Sequence, residues 1–219
     1  MRGGPSSEEV CRDIYQETRA LYARHSSALG EHDFGFRILY GPPLVHAPIL
    51  FLGLQPGGGR ESASAGRLNG EHEGWPLQCD YATADWDLAE RLRGVWTKTC
   101  LHDCTGLNVN FFRAPSARDW RRVPRETRTS LEKFCLERAE TIVRALAPQR
   151  MVVLGLGTLP RLTDAENVAL GEGGRILARK THLWGAPTFS VLHPTGAWLR
   201  RGDRRRLNDH LQTEIPRWL

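Results

Sequence analysis

Pro48-Ile49-Leu50-Phe51-Leu52-Gly53-Leu54-Gln55-Pro56-Gly57, residues 48–57, opens on an unbroken apolar run and closes in glycine, glutamine and proline. The run is too short for a helix and lacks the alternation of a strand with one wet face. It therefore predicts a strand buried on both sides. Such a strand belongs to a parallel sheet covered by helices, and it hands Gln55 to the loop beyond its carboxyl end, where ligands of open α/β sheets bind.

The rest of the chain extends this pattern outward. Met151-Val152-Val153-Leu154-Gly155 reads as a second buried strand, and Thr188-Phe189-Ser190-Val191-Leu192 as a last one leading into His193-Pro194. Leu107-Asn108-Val109-Asn110-Phe111-Phe112 alternates like a strand until Arg113-Ala114-Pro115 ends it, which predicts that Asn108 and Asn110 leave a strand end together. Helices are expected from Ser6 or Ser7 to Gly30, near Asp85 to Trp96, from Thr129 or Ser130 to Pro148, and from about Asp203 to Thr213. Residues 57–86, rich in Gly, Ser and charge, read as a long functional loop. The stretch after Gly155 reads as a polar insertion. No repeat or low-complexity segment interrupts the order, and residues 1–219 are expected to form a single domain.

Composition narrows the partners. Thirty Lys plus Arg against 25 Asp plus Glu give a formal charge of +5, mostly as arginine, which suits a phosphate-bearing partner or merely solvated arginine-rich faces. No stretch reaches the roughly 18 apolar residues of a membrane span, and Met1 to Ser7 has no apolar block of a secretory signal. The expectation is a cytoplasmic protein without membrane contact, acting as a monomer. Five scattered cysteines in a chain of this size predict reduced thiols. Cys100-Leu101-His102-Asp103-Cys104 groups metal-ligand types but lacks a second cysteine pair, so no metal is expected.

Three motifs now stand in order at strand ends: Gly53-Leu54-Gln55-Pro56-Gly57, Asn108, and His193-Pro194-Thr195-Gly196 before a basic stretch. Together they resemble the uracil-DNA glycosylase superfamily over about residues 48 to 212. His193-Pro194 through Trp198-Leu199-Arg200 is most similar to the branch whose second motif ends in Leu-Arg. That branch carries an iron-sulfur cluster held by four thiolates, whereas the N-terminal region here offers only Cys11. No cofactor is therefore expected. The resemblance implies a three-layer α/β/α sandwich with a central, mainly parallel four-stranded sheet. It also implies a monofunctional glycosylase that flips a base from DNA and hydrolyses its N-glycosidic bond.

The chemistry explains the residue types. The base leaves as an anion while the sugar gains oxocarbenium character, so charge must be stabilised on both sides. By resemblance His193 donates to a carbonyl oxygen of the departing base, Asn108 reads the base edge with Asn110 as fallback, and Gln55 orients the water. Family members usually carry Asp or Asn at the Gln55 position, and an amide cannot act as a general base; Glu61 or Asp85 could supply a carboxylate. Uracil enzymes place a Tyr at the Gly57 position. Glycine there opens the pocket, which implies DNA containing uracil or, more in keeping with the open wall, a bulky modified pyrimidine such as glucosylated hydroxymethylcytosine of phage DNA. Gly53 and Gly57 would flank the base, and Trp75 or Tyr81 would stack on it. Trp198 and Leu199 would wedge the duplex while Arg200, Arg201 and Arg204 hold phosphates. Arg118, Arg121, Arg122, Arg125 and Arg128 around Trp120 offer a second basic stretch.

Two other readings stand beside this one. A sensor of modified DNA that binds without cleaving would account for Gln55. A nucleotide-binding α/β enzyme would account for the glycine turns at Gly53 to Gly59 and Gly155 to Gly157. Neither turn completes its motif: the first lacks Lys-Ser or Lys-Thr, and the second carries Pro160 where the final glycine belongs.

Overall fold

The computed structural model describes residues 5–57, 75–96, 98–195 and 199–214. It begins with helix α1, Ser7–Leu29, whose start is fixed by a capping box: the Ser6 hydroxyl accepts from the Glu9 N–H while the Glu9 carboxylate accepts from the Ser6 N–H. Gly30 ends it at φ 52°, a left-handed conformation open to glycine.

One six-stranded sheet follows: β1 Leu50–Gly53, β2 Thr105–Asn108, β3 Met151–Leu154, β4 Glu166–Leu170, β5 Ile176–Leu183 and β6 Ala186–Val191, in the spatial order β2-β1-β3-β6-β5-β4. Strands β2, β1, β3 and β6 are mutually parallel. Strands β5 and β4 add on antiparallel, so the sheet is mixed and six-stranded rather than the expected four-stranded one. The stretch read as a polar insertion supplies both extra strands. Arg179, Lys180 and His182 on β5 and Glu166 and Asn167 on β4 give it a loop-like composition, yet such polar side chains are what an edge of a sheet carries. Trp184 and Gly185, at φ 50° and 91°, join β5 to β6 in a two-residue turn with both residues left-handed.

The short helices are α2 Asp80–Thr83, α3 Asp87–Arg93, α4 Lys98–His102 and α5 Ala117–Trp120; the long ones after them are α6 Arg125–Leu146 and α7 Arg201–Glu214. Alternation along the buried strands sends side chains to opposite faces. Leu50, Leu52, Leu107, Met151 and Val153 pack with Ile14 and Leu21 of α1 and Leu131, Ile142 and Leu146 of α6. Phe51, Val152, Leu154, Phe189 and Val191 pack with Leu92 of α3, Leu101 of α4 and Leu207 and Leu211 of α7. Helices thus cover both faces of the sheet. The outer edge of β2 is shielded by residues 36–40, where Tyr40 N–H donates to Gly106 O at 2.8 Å and Arg37 N–H to Phe111 O at 2.8 Å. Among the described residues no helix is long and apolar enough to cross a membrane.

Candidate active site

Four parallel strands end side by side, and residues at or just past their ends line one cavity. Asn108 closes β2, Gly53 closes β1 with Gln55 just beyond, Leu154 closes β3, and His193 follows β6. The cavity measures about 630 Å³, inside the range of roughly 300–1,000 Å³ usual for small-ligand sites. It lies where the chain switches from one side of β1 to the other, the position at which open α/β sheets bind ligands. Gln55, Asn108, His193, Gly53, Gly57 and Tyr81 all line it.

The amide pair is set by backbone register. Gly53 is the partner of Asn108 across β1 and β2, and a β-carbon on residue 53 would collide with Asn108 Oδ1. Asn108 is 5% exposed. Its side chain is a hydrogen-bonding neighbour of the Tyr40 hydroxyl, yet among the described residues its buried Nδ2 finds no partner in full hydrogen-bonding geometry. Among the described residues Gln55 Nε2 is likewise buried without a partner. Among the described residues these two buried amide donors of the cavity lack acceptors, as does Asn110 Nδ2 in the neighbouring pocket, and such donors are costly in a folded protein unless something completes them. Among the described residues, a methyl group on Gly57 would meet nothing within 4 Å.

His193 is held as a neutral ring. Its Nδ1 accepts from the Thr195 N–H at 3.3 Å and lies 3.1 Å from the Thr195 hydroxyl, which leaves the ring hydrogen on Nε2. Burial pushes its pKa below the ordinary histidine value. The ring side also packs toward Gly155, whose φ of 107° suits glycine alone.

An aromatic wall completes the cavity. Tyr40, Tyr81 and Trp86 all line it, their rings nearly parallel with centroids 5.6 to 6.0 Å apart. The Arg37 guanidinium lies over the Tyr40 ring at 4.1 Å and is ion-paired with Asp80. Burial raises the Tyr40 pKa, with the nearby Arg37 and Arg113 charges opposing it. Arg113 donates to Gly57 O at 3.4 Å, putting a cation beside that space. Tyr40, Trp86, Arg113 and Asp87 are the residues that sequence reading passed over. Asp87 lines the cavity, whereas Asp85 does not, and Glu61 lies outside the described residues. An aromatic-acid run opening a short helix was the one sequence signal, and a surface helix start gives the same signal.

Other expected residues fall elsewhere. Trp75 packs under Arg12, 4.1 Å from its ring, in a small crevice with Cys11, Tyr15 and Phe36, so it does not face the strand-end cavity. Strand β2 stops at Asn108, and Asn110 turns away: its Oδ1 accepts from Phe112 N–H at 3.1 Å and it lines a separate pocket of about 170 Å³ with Gln55, Trp120, Arg121 and Arg161. Trp120 stacks on Phe112 and donates to Glu132 at 2.7 Å, which anchors the second basic stretch on α5 and α6. Leu199 is 9% exposed and packs in the core with Leu207 and Leu211, because an apolar side chain beside the sheet is better buried than presented to DNA. It is not a protruding wedge. Trp198 lies outside the described residues. Arg200 is exposed and ion-paired with Glu172, while Arg201 and Arg204 stand exposed on α7. All five cysteines are buried free thiols. The sequence matches no family model and no curated protein.

Proposed function

We propose that the protein is a monofunctional DNA glycosylase that accepts a flipped base in the 630 Å³ cavity and hydrolyses its N-glycosidic bond. The observation that carries this reading is the convergence of Gln55, Asn108 and His193, from three different strand ends, on that one cavity. A neutral His193 with hydrogen on Nε2 can donate to a base oxygen and strengthen that bond as the base becomes anionic, a contribution of about 3 kcal/mol for a preorganised donor. Asn108 presents an amide edge to the base, and the Tyr40, Tyr81 and Trp86 rings give it an apolar side to lie against. Gln55 holds a water through its amide. The space beside Gly57 among the described residues and the cation of Arg113 next to it favour a modified or bulky pyrimidine, such as glucosylated hydroxymethylcytosine of phage DNA, over uracil. The expected site of action is cytoplasmic DNA, with the arginines of α7 against its phosphates.

The test is incubation of the full chain with oligonucleotides carrying uracil, mismatched thymine or bulky modified cytosines, followed by alkali to reveal abasic sites. Strand scission at one of these bases supports the reading. Tight binding to a modified base without scission on any substrate would replace it with the sensor, a reading that the amide at position 55 favours.

A further inference from the structure

Hydrolysis of a glycosidic bond needs a group that accepts a proton from water or faces the cationic sugar, and a neutral amide at position 55 does neither. The cavity supplies one such group. Among its described lining residues Asp87 is the sole carboxylate. It opens α3 directly after Trp86, whose ring forms the aromatic wall, so the wall and the carboxylate share one segment.

Asp87 is exposed at the cavity mouth. Asp87 stands at the rim shared by the cavity and an adjoining groove of about 450 Å³, and both are walled by Leu154. Glu90 and Arg91 of its own helix and Arg204 of α7 line the groove side, and His193 lines the cavity side. An acidic residue in the first turn of a helix also complements the helix dipole, so its position has a purely structural use as well.

We propose that Asp87 is the catalytic base of the hydrolytic step, doing from α3 what an acid at position 55 would otherwise do; this rests on the glycosylase reading above. In that step the water oxygen bonds to C1′ as the C1′–N bond breaks. The bonding pair leaves on the base, which departs as an anion held by His193, and the proton of the water passes to the Asp87 carboxylate. Asp87 then returns that proton to solvent as the free base takes one up.

The test uses the full chain and the oligonucleotide on which the wild type forms abasic sites, with single-turnover rates and binding by anisotropy. Asp87→Asn is expected to slow the chemical step about 100-fold, the lower end of general-base effects, while Kd stays within about twofold. Adding Gln55→Asp to Asp87→Asn is expected to recover about tenfold, because a carboxylate again faces the cavity. Asp87→Ala should match Asp87→Asn, which guards against an effect of the amide itself. An Asp87→Asn rate within about threefold of wild type, or a Kd that weakens in step with the rate, overturns the inference while leaving the glycosylase reading intact. A wild type inactive on every base overturns both.

Discussion

The carboxamide of Asn108 lies against the α-carbon of Gly53, its register partner across β1 and β2, in space that any β-carbon would fill. The glycine therefore does steric work for its neighbour. Gly53→Ala is expected to push the Asn108 amide out of place and cut turnover about 30-fold. In an Asn108→Ala background the same change should cost little. A double-mutant cycle measuring both rates tests this, with a coupling of about 1–2 kcal/mol expected for contacting residues; additive effects would show that the two do not act together.

His193 should act as a neutral donor. Burial lowers its folded pKa below the roughly 6.5 of the unfolded chain, so the folded state resists protonation. The unfolded chain then binds more protons at mildly acid pH, and stability falls as pH drops through about 6.5 toward the lowered folded value. Turnover should hold through neutral pH and fall only on the acid side of 6.5, and His193→Ala should lower it about 100- to 1,000-fold. A rate that rises on acidification through pH 6 would mean that the protonated ring is the active form.

The aromatic wall separates two tryptophans. Trp86 faces the cavity in parallel with Tyr40 and Tyr81, whereas Trp75 is stacked under Arg12. Trp86→Ala is expected to weaken substrate binding by about 1–3 kcal/mol, the usual worth of a stacked base. Trp75→Ala should leave substrate Kd unchanged and lower the melting temperature instead. The reverse pattern would place the base elsewhere.

Much of this site is legible in the sequence because it hangs on strand ends. Unbroken apolar runs at 49–52 and 151–154, and the β-branched and aromatic run Thr188-Phe189-Ser190-Val191, mark parallel strands, and a residue just past such a run lies at the sheet's carboxyl edge, as Gln55 and His193 do. The limits of this logic appear where packing decides. Val109 to Phe112 continues the alternation of β2, and its amides still reach Gly53 and Leu54 at 2.9 Å, but the strand has ended and Asn110 faces a different pocket. Strands β4 and β5 hide behind polar side chains because they pair at the sheet's edge. Tyr40 reaches the cavity from a segment without periodicity, and Asp87 from a helix of seven residues whose aromatic-acid start looks like any surface helix start.

Leu199 and the arginines that follow it should behave differently. Leu199 is buried against Leu207 and Leu211, so Leu199→Ala is expected to cost about 2–3 kcal/mol of stability and leave DNA affinity alone. Arg201→Ala and Arg204→Ala remove exposed charge from α7. Each should weaken DNA binding across sequences and lower the slope of log affinity against log salt by about one. Melting curves and salt titrations of anisotropy measure both, and an unchanged salt slope in the double arginine variant would move the phosphate track off α7.

The thiols give a test of the core that needs no substrate. Burial raises the Cys11 and Cys135 pKa to about 12 and that of Cys79 to about 11, and Cys104 is raised further by its contact with Cys100. Cys100 moves the other way, because the hydrogen bond from Cys104 favours its thiolate. The thiolate is the reactive form and Cys100, 9% exposed, is the least buried of the five, so a disulfide reagent at pH 8 should label Cys100 first in the native protein. The other four should react only at the rate of unfolding, and all five together in denaturant. Rapid native labelling of Cys135 would be the informative failure: its sulfur accepts from the Phe111 N–H at 3.4 Å beneath α6, and reaching it requires the helix to leave the sheet.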